Sequence, residues 1–103
     1  MSAEDIHVVD NPAAGRLEVR LGAHVAFAEY RLLASGILFP HTEVPEALGG
    51  KGIGSMLVKA GLAMAREKGL KVMPVCPFFA SYMTKHPETH DLLHPDYRAA
   101  LGL

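Results

Sequence analysis

The chain has 103 residues, half of them hydrophobic, and a formal net charge of −1. This length and hydrophobic content predict a single folded domain over residues 1–103, and the charge gives no reason to expect nucleic acid as a partner. No window approaches the roughly 18 consecutive apolar residues of a membrane span, so we expect no membrane partner. The lone cysteine permits no disulfide within the chain, and the short acidic N-terminus is unlike a signal peptide. We therefore expect a cytoplasmic protein.

The N-terminal part of the sequence predicts an antiparallel meander of four strands. Charged and apolar residues alternate in the second strand, as they do in a half-buried strand. Gly22 and Ser35-Gly36 supply tight turns between later strands, and Pro45 ends the fourth. The predicted strands are residues 6–9, 16–21, 23–32 and 37–44.

The C-terminal part predicts helices around one further strand. That strand follows a helix, so we expect it to lie parallel to its predecessor. Pro74 and Pro77 remove backbone donors from it, which predicts incomplete pairing. The predicted elements are a helix over 53–68, a strand over 70–76, a short helix over 78–85, and a helical segment over 88–101 with breaks near Pro95.

A glycine-rich loop, residues 49–55, lies between the fourth strand and the first helix. Four glycines in the six residues 49–54 allow a sharp turn and the close approach of a ligand to backbone N–H groups. These groups lie at a helix N-terminus, which favours an anion. The loop is not a Walker loop, because Gly52 follows Lys51, and it is not a dinucleotide fingerprint, because Ser55 and Leu57 replace the last glycine. A phosphate site and a flexible connector both remain open interpretations.

The order of these elements resembles the GCN5-related N-acetyltransferase family, and in particular its minimal branch, whose members are about the length of this chain. The resemblance covers roughly residues 6–93. In the wider family the loop begins with Gln or Arg, where this chain has Gly49, a change that leaves the backbone donors in place. The segments that carry the resemblance are His41–Pro45, Gly50–Ser55, Ala65-Arg66, Gly69–Val72, Pro74–Phe78 and Tyr82 with His86-Pro87-Glu88.

The resemblance implies an α+β fold of the three-layer kind. This fold has a mixed, mostly antiparallel five-stranded sheet with a splayed parallel pair, and helices on both faces. Acetyl-CoA is the implied donor, with its pantetheine arm in the opening between the splayed strands. Lys51 is a candidate contact for the phosphates, or an ordinary solvated lysine. The implied CoA-binding residues are the backbone around Val44, which would polarise the thioester carbonyl, and the loop residues Gly49, Gly50, Lys51, Gly52, Ile53, Gly54 and Ser55, which would bind the pyrophosphate.

Tyr82 is the candidate acid for acetyl transfer. The reaction needs a neutral amine, a polarised thioester carbonyl and a proton for the departing thiolate. Related acetyltransferases place a tyrosine that protonates the CoA sulfur on the short helix after the fifth strand, where Tyr82 lies. The alternative is a core tyrosine packed against Phe78 or Phe79.

Three further residues are candidates near the thioester. Cys76 ends the splayed strand and would line the acetyl site, with the alternatives of an acetyl-accepting nucleophile or a small buried hydrophobic residue. His41 and Glu43 share one strand face by the period of two, and either is a candidate base or a solvent-facing residue.

Three histidines spaced by four residues, His86, His90 and His94, raise the question of a metal site. Pro87 interrupts any helix through them, leaving His86 off the face that His90 and His94 would share. We therefore expect no metal site and interpret His86-Pro87-Glu88 as a turn and helix start.

These residues together favour an acetyl-CoA-dependent N-acetyltransferase that transfers directly to an amine: a protein lysine, an N-terminus or a small amine. The alternative is a catalytically weak module that binds CoA or acyl-CoA and serves regulation. The expected partners are CoA and the acceptor amine, and the expected state is a monomer or a weak homodimer.

Overall fold

The computed structural model describes residues 6–103, so the acidic segment 1–5 lies outside the described residues. The described strands are β1 (Val9–Asn11), β2 (Arg16–Leu21), β3 (His24–Glu29), β4 (Arg31–Leu33), β5 (Gly36–Leu38), β6 (Thr42–Glu43) and β7 (Val72–Met73). The helices are α1 (Ile53–Lys68), α2 (Pro77–Lys85) and α3 (Pro95–Arg98), with 3₁₀ turns at Glu46–Leu48, Pro87–Leu92 and Ala99–Leu101. No helix within residues 6–103 is long and apolar enough to cross a membrane.

The strands form two sheets. The first is antiparallel in the order β1-β2-β3-β6, and the second has the order β4-β5-β7, with β5 and β7 parallel. The predicted α+β fold with mixed, mostly antiparallel strands is confirmed. The predicted single five-stranded sheet is wrong in detail, because the hairpin of the third and fourth predicted strands is shared between the two sheets.

A bulge divides this hairpin. Thr42 pairs with Ala28 and Leu38 pairs with Arg31, so three residues, 39–41, oppose only two, 29–30. Within the bulge, Glu29 N–H donates to the His41 carbonyl, and Tyr30 N–H donates to Gly15 instead of to the facing strand. The strand direction changes here, and β6 continues on the first sheet alone.

Two other predicted strands also differ in extent. The first lies at Val9–Asn11 rather than residues 6–9, because Asn11 pairs with Arg16 before the turn that ends at Gly15. The fifth is only Val72–Met73, in agreement with the predicted incomplete pairing, since Pro74 follows. Pro77 does not belong to a strand but is the first residue of α2, where a missing N–H has no cost.

The core lies between α1 and the inner face of the first sheet. Contacts place α1 against β2 and β3, and α2 against α1. Helices on both faces of the sheet stay a prediction. Gly61 of α1 lets two stacked rings approach: Phe39 and Phe79, with centroids 4.0 Å apart. The buried residues that form this core include Leu17, Val19, Ala26, Ala28, Ile53, Leu57, Val58 and Leu62.

The opposite face of the first sheet holds a buried carboxylate. Glu18 is 3% exposed and accepts hydrogen bonds from Arg16 at 2.6 Å, Arg20 at 3.0 Å and Asn11 at 3.3 Å. The Arg16 hydrogen bond is the largest cause that lowers the pKa of this carboxyl, against the effect of burial. Because its charge is paired, Glu18 can remain ionised on this face.

Candidate functional site

The glycine loop leads directly into the N-terminus of α1. Gly50 and Gly52 have φ angles of +78° and +73°, which other residues rarely adopt. Among the described residues, no side chain caps the helix at Gly52 and no acidic residue lies in its first turn. The exposed loop therefore presents backbone donors at the positive end of a 16-residue helix.

A groove with a volume of about 370 Å³ runs from this N-terminus between α1 and α2. Two lysines, Lys59 and Lys85, lie along it, one on each helix. Neither was singled out by sequence reasoning, although each follows a groove-lining serine by four residues, the spacing of one helix face. The groove thus combines helix N–H groups with positive charge. Its lining residues are Gly54, Ser55, Val58, Lys59, Phe78, Ser81, Tyr82, Lys85 and His86.

Tyr82 faces this groove. Its ring stacks on His86 with centroids 3.8 Å apart, and His86 Nδ1 is 2.7 Å from the Tyr82 carbonyl oxygen. Tyr82 also packs against the buried core, as the alternative of a core tyrosine expects, while Phe79 in that core stacks on Phe39. The half-buried Tyr82 is therefore oriented by a histidine at the groove wall.

The parallel strands part after Cys76. Phe39 N–H donates to the Met73 carbonyl at 3.1 Å, and Cys76 N–H donates to the Phe39 carbonyl at 2.9 Å. Beyond this point Thr42 pairs with β3, whereas Pro77 begins α2. Beyond Cys76 the two chain segments therefore no longer pair with each other.

Cys76 lies where the two segments part and is 2% exposed. Its thiol donates to Thr42 Oγ1 at 3.2 Å. Val44, half-buried, follows β6 toward the glycine loop. The structure thus brings Cys76 and Thr42 together, although Thr42 was not a predicted site residue. Its inward orientation depends on the register with Ala28, which the sequence does not show.

His41 and Glu43 lie together but away from the thiol. His41 Nε2 is 3.2 Å from Glu43 Oε1, and both side chains are more than half exposed. Glu43 pairs with Phe27, so it projects from the face opposite to that of the neighbouring Thr42. The shared face that the sequence predicts for His41 and Glu43 agrees with their contact. It is opposite to the face of Thr42, which contacts Cys76.

The three histidines after α2 make hydrogen bonds to the backbone. Nδ1 of His86 lies 2.7 Å from the Tyr82 carbonyl, Nε2 of His90 lies 2.7 Å from the Met83 carbonyl, and His94 accepts from the Asp96 N–H at 3.2 Å. Across residues 6–103, no group of three potential ligand side chains could hold a metal ion. The segment is helical with a break next to Pro95, in agreement with the prediction, and it consists of a 3₁₀ turn, then α3, then a second 3₁₀ turn.

An ion pair attaches this segment to α1. Arg66 donates to both carboxylate oxygens of Asp91, at 2.8 and 3.2 Å, and Lys71 Nζ donates to the Asp91 carbonyl at 2.6 Å. The hydrogen bond from Arg66 lowers the pKa of Asp91. Arg66 and Lys71 belong to the segments that carry the family resemblance, and their contacts give these residues a structural role.

Comparison with protein families assigns the chain to a class. The model of the GCN5-related N-acetyl-transferase family matches residues 16–92, which include both sheets from β2 onward, the glycine loop, α1 and α2. The chain therefore belongs to the GCN5-related N-acetyltransferase family, and the resemblance noted in the sequence is confirmed.

The chain is also similar to particular proteins. The chain is 39% identical to Protein NATD1 of Gallus gallus over 54 residues and 40% identical to Protein NATD1 of Homo sapiens over 47 residues. These matches cover 52% and 46% of this chain and 49% and 42% of the relatives, so the chain spans about half of their length. It is also similar to the NMR solution structure of a GCN5-like protein from Staphylococcus aureus, with a TM-score of 0.66, 28% identity and 91% of each chain covered.

Proposed function

We propose that this protein is an acetyl-CoA-dependent N-acetyltransferase that moves the acetyl group directly to an amine. The observation that carries the proposal is the α1–α2 groove, which starts at the glycine loop and is lined by Tyr82 and by the cations Lys59 and Lys85. The family membership supports acetyl transfer in general. The acceptor is a protein lysine, an N-terminus or a small amine.

The residues of the groove fit a CoA ligand by charge. The backbone N–H groups from Gly49 to Ser55 would hold the pyrophosphate, because they lie at a helix N-terminus without a side-chain cap. Lys59 and Lys85 would pair with phosphate oxygens along the groove, and Lys51 would add a third cation at the loop.

The proposed transfer uses residues of the groove and residues on and after β6. The amine nitrogen attacks the thioester carbonyl carbon, so an N–C bond forms and the C–S bond breaks. Tyr82 gives its phenolic proton to the departing sulfur, and the surplus amine proton leaves through water to Glu43 or His41. Backbone N–H groups around Val44 polarise the carbonyl, and Cys76 lines the acetyl site.

One observation favours the alternative of a catalytically weak CoA-binding module. Glu43 and His41 point away from the face that carries Thr42 and Cys76, so the candidate bases do not adjoin the candidate acetyl site. In that case the groove would bind CoA without efficient turnover.

Calorimetric titration with acetyl-CoA and with CoA, beside ATP as a control, tests the proposal first. Binding of both CoA forms but not of ATP is expected. Failure of both to bind at high protein concentration would refute the transferase and the binding module together. Thiol release in the presence of a panel of amines then separates the two, because only the transferase produces free CoA in proportion to acetylated amine.

A further inference from the structure

His86 lines the α1–α2 groove in a position that two contacts with Tyr82 define. Its ring stacks on the Tyr82 ring with an interplanar angle of 10° and centroids 3.8 Å apart. Its Nδ1 lies 2.7 Å from the Tyr82 carbonyl oxygen, one helical turn back along the chain. Because one ring face and one ring nitrogen are used in these contacts, Nε2 is the nitrogen of His86 that is available to a ligand in the groove.

The hydrogen bond to the Tyr82 carbonyl decides which ring nitrogen carries the hydrogen in neutral His86. A carbonyl oxygen accepts hydrogen bonds and cannot donate them, so Nδ1 is the donor and holds the hydrogen. Nε2 of the neutral ring is then an acceptor, and its lone pair repels the oxygens of an anion. In the imidazolium ion both nitrogens carry hydrogen, so Nε2 becomes a charged donor. His86 therefore donates a hydrogen bond into the groove only when it is protonated.

The charges around His86 couple its protonation to the binding of an anion. Lys59 and Lys85 line the same groove, so in the empty groove they disfavour a further positive charge on His86. A bound group with two negative charges has the opposite effect and favours the proton. By linkage, protonation of His86 then strengthens the binding of that group. The titratable and charged groups next to His86, element by element, are Lys59 on α1, Tyr82 and Lys85 on α2, and Glu88 and His90 on the 3₁₀ turn that follows α2.

We propose that Lys59, Lys85 and His86 form a binding site for a phosphate monoester, to which His86 contributes only in its protonated form. This inference rests on the proposed function, in which the groove holds CoA. The ribose of CoA carries the pyrophosphate on its 5′ oxygen and a phosphate monoester on its 3′ oxygen. The glycine loop would hold the pyrophosphate, and Lys59 lies one turn beyond Ser55, about 6 Å along the axis of α1. The site therefore selects CoA over dephospho-CoA, which lacks only the 3′-phosphate.

The tautomer of His86 tests the first step of this inference without any ligand. Long-range proton–nitrogen NMR spectra of the labelled protein distinguish a ring nitrogen that carries hydrogen from one that does not. The signals of His86 are assigned by their absence in His86→Asn. Above about pH 8, where histidine is ordinarily neutral, the expected result is a hydrogen on Nδ1 and none on Nε2. The opposite tautomer would overturn the proposal, because neutral His86 could then donate to an anion.

Calorimetric titration at about pH 6.5 and about pH 8.5 tests the binding step, because the charge of histidine ordinarily changes over this range and that of lysine does not. The wild type is expected to bind CoA about fivefold more tightly at the lower pH. Dephospho-CoA is the matched ligand, and its affinity should change by less than about twofold, since it has no phosphate monoester to pair with His86.

Variants of His86 separate its protonation from other effects of pH. His86→Asn keeps a donor for the Tyr82 carbonyl but has no atom at the position of Nε2, and His86→Gln places an uncharged donor near that position. In both variants the affinity for CoA should differ by less than about twofold between the two pH values. His24→Asn removes an exposed histidine outside the groove and should retain the pH dependence of the wild type. Thermal melting by circular dichroism shows which variants are folded.

Failure of the phosphate site and failure of the proposed function give different results. CoA binding with equal affinity at both pH values, or with a pH dependence that dephospho-CoA or a folded His86 variant shares, would refute the site and leave the proposed function intact. If the wild type binds neither CoA nor dephospho-CoA, the proposed function fails. Adenosine 3′,5′-bisphosphate, which has the 3′-phosphate but no pantetheine arm, then decides on the site. Tighter binding of this bisphosphate at the lower pH would support the site, and its failure to bind or its equal binding at both pH values would refute it.

Discussion

The Cys76 thiol donates a hydrogen bond to Thr42 Oγ1 across a distance of 3.2 Å, and it does so with only 2% of the residue exposed. A buried cysteine that packs against a neighbouring side chain is more often a small core residue than a nucleophile. The contact therefore favours Cys76 as a lining residue of the acetyl site over Cys76 as an acetyl acceptor.

Replacement of this cysteine tests that distinction. Cys76→Ala is expected to retain acetyl transfer to within about tenfold, because a packing contact is lost but no bond-making group. Steady-state rates and intact-mass spectra of the wild type with acetyl-CoA would check this. A complete loss of turnover, together with a wild-type species one acetyl group heavier, would contradict direct transfer.

Tyr82→Phe is expected to lower kcat about a hundredfold, the usual contribution of a positioned acid. The phenyl ring can still stack on His86, so CoA affinity should change little. Ser81→Ala, which removes a hydroxyl from the same groove, is the control and should leave kcat intact. A Tyr82→Phe variant with wild-type kcat would exclude the tyrosine as the acid.

Lys59→Ala and Lys85→Ala should each weaken CoA binding about fivefold at low salt, or about 1 kcal/mol, since both cations line the groove. The loss should shrink in 1 M salt, where the Debye length is about 3 Å. Calorimetry at two salt concentrations measures this, with Lys68→Ala in the last turn of α1 as the control. Equal losses in all three variants would indicate a general charge effect rather than a phosphate contact.

Gly61→Ala tests the packing of α1. Alanine has the higher helix propensity by about 1 kcal/mol, but the new methyl group would lie 2.8 Å from Phe79 and 2.9 Å from Phe39. Overpacking is expected to prevail and to lower the free energy of unfolding by about 1–3 kcal/mol in urea titrations. The exposed control Ala63→Gly should lose about 1 kcal/mol through propensity alone. A more stable Gly61→Ala variant would show that the rings move aside freely.

Glu18, the buried and ion-paired carboxylate on the face of the first sheet opposite to the core, predicts that the free energy of unfolding decreases in acid. The pKa of Glu18 is lowered from 4.5, mainly by the Arg16 hydrogen bond. Its contribution to the free energy of unfolding is therefore complete above pH 4.5 and disappears as the pH falls through the lower pKa of the folded state.

Glu18→Gln should remove this part of the pH dependence and cost about 1.5–3 kcal/mol at neutral pH, because two arginines lose a charged acceptor. Urea titrations from about pH 7 to about pH 3, a range that spans the ordinary carboxyl pKa of about 4, measure both effects. The exposed Glu67→Gln is the control. A parallel pH dependence in Glu18→Gln and the wild type would refute the assignment.

Local signals predicted some elements well. The bounds of α1 were obtained correctly as 53–68, because the apolar periodicity lies between Gly52 and Gly69, which both adopt left-handed conformations at the helix ends. The division of the sheet was not predicted. It depends on which residues oppose Tyr30 across the bulge, and this register arises from pairing between distant strands rather than from local pattern.

The candidate site was predicted only in part, because some of its residues are brought together by packing and strand register rather than by local sequence. The glycine loop is a continuous segment, so its position before α1 could be read directly. Lys59 and Lys85 belong to different helices, and only their packing places them along one groove. In the sequence, Thr42 resembles an ordinary strand residue. Only the pairing of Thr42 with Ala28 in the structure shows that its side chain faces Cys76.

The short strand β7 has a consequence for assembly. Its side away from β5 is covered: Val72 forms a parallel bridge with Leu93, and its carbonyl accepts the His94 N–H at 2.9 Å. Pro74 then removes the next donor along the strand. An unprotected edge strand is a template for aggregation, and covering it is a recognised defence. The segment Leu93-His94 therefore closes this edge to pairing with a second chain, and the Arg66–Asp91 ion pair is one of the contacts that hold the segment in place.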